Sequence, residues 1–129
     1  MIDIEFIRKY CLSFPGSFEQ LQWESSLLFK VGPKSAGKIF LIYSLYEGTQ
    51  NRISLKCTHE KFEELTDLEY IIPAPYLAHN KWVTLQDGCR LKTAELKELI
   101  ELSYNLVFSK LTKKIRAEIY RKMIMGASY

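Results

Sequence analysis

Apolar residues along this chain recur first at helical spacing. Ile4, Ile7, Cys11 and Phe14, joined by Phe6 and Tyr10, fall on one side of a 3.6-residue period. Asp3 stands where an N-cap accepts backbone N–H bonds, and Pro15-Gly16 closes the run. The period then drops to two. Leu21 and Trp23 alternate with Gln20, Gln22 and Glu24, and Leu27, Phe29 and Val31 alternate with Leu28 and Lys30. Ile39 to Leu45 is apolar on both faces, the pattern of a central strand covered by helices on one side. Arg52 to Cys57 alternates most cleanly, with Ile53, Leu55 and Cys57 facing inward and Arg52, Ser54 and Lys56 outward. Turn signals at Gly32-Pro33, Gly37 and Gly48-Thr49-Gln50-Asn51 separate these segments, so an antiparallel meander is predicted.

The second half returns to helical spacing. Thr58 caps a short helix bearing Phe62 and Leu65, with Glu60 in its first turn. A proline-rich connection from Ile72 to Pro75 leads to a last strand at Val83-Thr84-Leu85, opened by Trp82. Thr93 caps the longest helix, whose inner stripe is Leu96, Leu99, Ile100, Ser103, Leu106, Val107 and Leu111. Thr112 caps a final helix carrying Ile115 and Ile119. A meander bracketed by helices is an α+β arrangement, and 129 residues fit one domain, residues 1–129.

Composition narrows the classes. With 47% apolar residues the chain needs neither metal nor disulfide to hold a core. Three cysteines, Cys11, Cys57 and Cys89, form no CxxC pair and cannot pair completely, which points to a reducing compartment. The N-terminus carries Asp3 and Glu5 where a secretory signal carries bases, and the longest apolar run is too short to span a bilayer. A cytoplasmic protein with no membrane association is expected. His59 and His79 are the only histidines, too few for a structural zinc site, so no metal and no cofactor is expected.

Four features bear on chemistry. Gly32-Pro33-Lys34-Ser35-Ala36-Gly37-Lys38 satisfies GxxxxGK, but a phosphate-binding loop needs a helix directly after it and Ser or Thr after the lysine. Ile39 fills that position and opens a strand pattern, so a hairpin loop is predicted. Tyr76 to Trp82 sets His79, Asn80, Lys81 and Trp82 side by side, without a nucleophile or carboxylate pair. Trp82 reads as a core residue in preference to a base-stacking platform. Electrostatics is the fourth. Lys110, Lys113, Lys114, Arg116, Arg121 and Lys122 stand against Glu118 alone, a local +5 that leaves −2 for the rest of a chain of net charge +3. Such polarisation is how phosphate-binding surfaces look, although a helix C-terminus attracts cations without any ligand.

Cys11-Leu12-Ser13-Phe14-Pro15-Gly16, Phe29-Lys30-Val31, Gly37-Lys38-Ile39-Phe40, Ser54-Leu55-Lys56-Cys57, Lys81-Trp82-Val83, Leu99-Ile100 with Ser103-Tyr104, and Lys110-Leu111-Thr112-Lys113-Lys114 follow one another in order. Together they resemble the MmcQ/YjbR family of small bacterial proteins. The resemblance runs from about Ile4 to Ile119. It implies a CyaY-like α+β fold, with an N-terminal helix, an antiparallel sheet and C-terminal helices packed on one face. It also implies the family's description as DNA-binding, and it brings no catalytic residues. Pro33 to Ala36 lengthen the turn before Gly37-Lys38, and Thr112 stands where the family has proline. The fold that the resemblance implies takes its name from frataxins, but their acidic iron-handling helix is not matched, because Asp3 and Glu5 are offset by Arg8 and Lys9.

The expectation is a non-enzymatic protein that binds DNA or other nucleic acid with low specificity. Lys113, Lys114 and Arg116 are the phosphate contacts, with Lys56, His79 and Lys81 as a second group. The competing expectation is a protein-interaction or regulatory module using an open sheet face with Phe40, Ile42 and Tyr46. An enzyme acting near His79 would require a pocket with convergent polar groups.

Overall fold

The computed structural model describes residues 2–126. Helix α1 spans Ile4–Leu12, and the Asp3 carboxylate accepts the Glu5 N–H at 3.1 Å as its cap. Strands β1 (Ser17–Gln22), β2 (Ser26–Val31), β3 (Lys38–Ser44) and β4 (Asn51–Lys56) follow as an antiparallel meander. Helix α2 (His59–Thr66) begins at Thr58, whose hydroxyl accepts the Lys61 N–H. Then come β5 (Ile71–Pro73), a 3-10 turn (Ala78–Asn80) and β6 (Trp82–Gln86). Helices α3 (Thr93–Phe108) and α4 (Lys113–Ile124) complete the described chain. The strands form one sheet in the order β1-β2-β3-β4-β6-β5. The meander therefore ends at β4, and β6 enters between β4 and β5.

Alternation along the strands divides the sheet into two faces. One carries Phe29, Leu41, Leu55 and Val83 in one row and Tyr43, Ile53, Leu85 and Ile71 in the next, all buried. Onto these rows pack Ile7 and Cys11 of α1 and Leu96, Leu99, Ile100 and Val107 of α3. The other face carries the row Gln20, Leu28, Ile42, Ser54, Thr84 and Ile72, where the Ser54 and Thr84 hydroxyls share a 2.8 Å hydrogen bond. Ser103 ties helix to sheet. Its buried hydroxyl donates to the Phe40 carbonyl at 2.6 Å and accepts the Lys56 N–H at 2.9 Å. It thereby bridges β3 and β4 beyond their direct register, which runs only from Leu41 to Tyr43 on β3. The Tyr104 hydroxyl reaches the Pro15 carbonyl, and its ring stacks on Phe14 and meets Phe40 edge-on.

Several expectations need correction. Trp23 is not in a strand. It and Glu24 adopt positive φ at the β1–β2 turn, which reverses the chain before the alternation can continue. The proline-rich connection contains a strand, β5, at the sheet edge, where proline's missing N–H breaks no ladder bond. The cap of α3 is Lys92, whose backbone N–H is accepted by the Glu95 carboxylate at 3.0 Å, and Thr93 is the first helical residue. Leu106 is only half buried, and Tyr104 replaces it on the inner stripe. Phe40 lies in the core under α3, because β3 is irregular opposite Phe29/Lys30 and Phe40 falls out of alternation there. It offers nothing to an open sheet face.

Candidate nucleic-acid interface

Helix α4 is built like a surface helix. The Thr112 hydroxyl accepts the Ile115 N–H at 3.2 Å and closes its first turn. Ile115 and Ile119, four residues apart, form its inner stripe, and Ile119 is the only one of its residues counted as buried. Ile119 rests on Gly16. That residue has φ +73°, and a Cβ there would lie 2.9 Å from the Ile119 Cδ1. Glycine thus serves both the backbone turn after α1 and the close approach of the helix.

With the inner stripe fixed, helical geometry places the cations. Advancing about 100° per residue, Lys113, Lys114 and Arg121 fall within one outward arc of about 100°, opposite Ile115 and Ile119. All three are exposed, as is Lys110 just after α3. Among the described residues no ion pair joins Lys110, Lys113, Lys114, Arg116 or Arg121 to a carboxylate. Arg116 is different. It lies on the flank, half buried, with its Nε buried and lacking a hydrogen-bond partner among the described residues.

The helix dipole separates these cations into two kinds. Arg121 and Lys122 occupy the last turn of α4, where the negative end favours them. Lys113 and Lys114 occupy the first turn, which contains no acid, so the same dipole opposes them by about 0.3–1 kcal/mol each. Helix electrostatics explains the first pair and not the second.

The second predicted group assembles, but its lysines are engaged. Lys56 of β4 sits opposite Trp82 of β6, and its Nζ donates to the Asn80 carbonyl at 2.8 Å. Lys81 adopts φ +63° after the 3-10 turn, with its Nζ 5.0 Å from the centroid of Phe62 on α2. Its carbonyl accepts the Cys57 N–H at 2.9 Å. His79 is exposed on the 3-10 turn. Trp82 is 8% exposed and presents no face for a base. The two groups do not meet. α4 packs against the α1–β1 junction, whereas Lys56, His79 and Lys81 belong to β4, β6 and the turn between β5 and β6. β6 stands four strand spacings from β1, about 19 Å. No hydrogen bond or ion pair links the groups among the described residues.

Other candidate chemistry recedes. Gly32 to Gly37 connects β2 to β3 with Val31 paired to Lys38, so a strand and no helix follows the GxxxxGK segment. Burial pushes the Cys11 thiol up to about 12 and the Cys57 thiol to about 11, which keeps both protonated near neutrality. Among the described residues no cluster of three metal-ligating side chains occurs, and no helix is long and apolar enough to cross a membrane.

One feature lay outside the sequence reading. A cavity of about 810 Å³ opens between α4 and the sheet edge, walled by Phe18, Pro33, Ile115, Ile119 and Met123 with Lys34 at its rim. It arises where α4 crosses Gly16, about a hundred residues away in the chain, and no local pattern signals it.

Known proteins place these observations in context. The YjbR family model matches residues 12–106, so α4 lies beyond the matched segment. The crystal structure of Deinococcus radiodurans protein DR2400, with domain DUF419, is similar at 30% identity and a TM-score of 0.80, covering 92% of this chain and 88% of that one. A Pseudomonas syringae protein is similar in fold, with 19% identity, a TM-score of 0.64, and coverage of 82% of this chain and 99% of that one. No protein with a curated description matches.

Proposed function

The chain belongs to the YjbR family, and on that footing we propose that it binds DNA or other nucleic acid with low sequence specificity, through phosphate contacts made by α4. The observation that carries this reading is the placement of Lys113 and Lys114. They are exposed, without a carboxylate partner among the described residues, and sit at the helix end that disfavours them. Phosphate oxygens supply the missing compensation, since anions are stabilised at a helix N-terminus. Arg121 shares their arc and extends the positive surface. Arg116 contributes less because half of it is buried, and Lys56 and Lys81 contribute less because each already has a partner. The role is binding without catalysis, in keeping with thiols held protonated by burial. The competing role on an open sheet face loses Phe40 to the core and retains Ile42 and Tyr46.

The test is a labelled duplex titrated against salt. Each neutralised phosphate contributes a slope of about −0.9 in log affinity against log salt. The Lys113→Ala/Lys114→Ala variant should reduce that slope by about 1.8. Absence of binding at low salt, or a slope unchanged by the double substitution, would falsify the assignment.

A further inference from the structure

The two edges of the sheet are treated differently by the sequence. β5 is three residues long and ends in Pro73, a short edge with one backbone donor removed. β1 is six residues long, Ser17 to Gln22, and contains no proline, no lysine and no irregularity in its pairing to β2. Of the devices that keep an edge from adding another strand it has a single charge, Glu19, which Arg8 neutralises.

The backbone groups β1 offers can be identified. The Gly32 N–H donates to the Gly16 carbonyl at 3.1 Å, so the alternation of an antiparallel ladder commits Phe18, Gln20 and Gln22 to β2. On β2 the Ser25 carbonyl accepts the Leu45 N–H at 2.7 Å, which puts odd-numbered residues toward β3 and agrees with that alternation. The N–H and C=O of Glu19 and Leu21 therefore point outward. The Ser17 N–H does not join them, because it donates to the Phe14 carbonyl at 3.2 Å.

We propose that this edge pairs with the same edge of a second copy, antiparallel and centred on Gln20, to form a two-fold dimer with a continuous twelve-stranded sheet. In this register Glu19 of one copy lies opposite Leu21 of the other, twice over, so all four free N–H groups meet free carbonyls. Centring on Glu19 would waste a bond on the occupied Ser17 N–H. Centring between residues would put side chains from opposite faces against each other. The self-complementary register selects a second copy as the occupant, since one strand supplies donors and acceptors in matching positions.

The side chains support the same register. Trp23 is 85% exposed and Leu21 is 55% exposed, an unusual outlay of apolar surface at a hairpin. Pairing about Gln20 carries Trp23 of one copy alongside Ser17 of the other. There a depression of about 600 Å³ is lined by Leu12, Ser17, Phe18, Glu19, Gln20 and Lys34. Glu19 brings no unpaired charge into the contact, because Arg8 already holds it at 2.6 and 2.9 Å. A two-fold axis through Gln20, perpendicular to the sheet, sets the helical layers of both copies on the same side.

Sedimentation and cysteine cross-linking of the full chain test the proposal. The native chain should sediment as a dimer. Leu21→Pro removes an outward N–H and no bond to β2, so it should sediment as a folded monomer. In a Cys89→Ser background, with Cys11 and Cys57 buried, Gln20→Cys should cross-link on mild oxidation. Directly opposed residues have Cβ atoms about 5 Å apart. Gln22→Cys should not cross-link, since its counterpart lies about 13 Å away along the strands. A monomeric native chain overturns the proposal. So does a dimer unaffected by Leu21→Pro, or one in which Gln22→Cys links as readily as Gln20→Cys.

Discussion

Helices α3 and α4 follow one another with four residues between them, and both begin with a closed first turn, yet the molecule holds them in different ways. α3 buries six side chains and fastens itself to sheet and loop backbone through Ser103 and Tyr104. α4 buries Ile119 against Gly16, with Ile115 at the edge of the core and Tyr120 edge-on to Phe108 of α3. The first is part of the framework, and nearly every residue on its inner stripe answers to a packing partner. The second is a carrier. Lys113 and Lys114 on its outward side are exposed and join no ion pair among the described residues, at the end of the helix that disfavours them. On the proposed function, stability and recognition fall on successive helices, so substitutions should separate them.

The largest effect is expected at Ser103. Ser103→Ala leaves the Phe40 carbonyl and the Lys56 N–H without their buried partner, a loss of about 3 kcal/mol at the usual cost of such groups. Urea unfolding measures it, and a loss under about 1 kcal/mol would show that β3 and β4 do not depend on the helix for these bonds. Ile119→Ala should cost about 2 kcal/mol, the low end for a large-to-small change, because α4 can settle toward Gly16. A cost matching that of Ser103→Ala would erase the distinction between framework and carrier. The smallest effect should come from Lys113→Ala/Lys114→Ala. Removing cations from a helix N-terminus should leave stability unchanged or raise it by up to about 1 kcal/mol while weakening nucleic-acid binding. A thermal melt on the variant used for the salt titration distinguishes lost affinity from lost fold.

Elements whose period was unbroken were legible in the sequence. Ile53, Leu55 and Cys57 face inward as their alternation requires, and Asp3, Thr58 and Thr112 cap the helices assigned to them. The misreadings cluster where local pattern meets a tertiary demand. Trp23 continues the alternation of β1 in the sequence, but the chain turns there, because β2 must return along the same sheet. β5 is too short and too rich in proline to show a period, and only its pairing with β6 makes it a strand. The candidate site was half legible. The positive charge of α4 is a property of composition, and among the described residues no ion pair joins Lys113, Lys114, Arg116 or Arg121 to a carboxylate. That Lys113 and Lys114 lie on one arc with Arg121, that Arg116 turns inward, and that Lys56 and Lys81 find partners of their own depend on which face of each element the core claims.

The sequence alone determined the class of fold, the order of most elements and the sign of the C-terminal surface, because periodicity, capping and charge are local quantities summed along the chain. Only the tertiary structure decided that β6 enters between β4 and β5, that the basic helix and the His79 segment stand apart, and that one sheet edge is a full six-residue strand while the other is short and ends in proline. These outcomes depend on contacts between residues distant in the chain, whose pairing is settled when the whole sheet buries its apolar face at once.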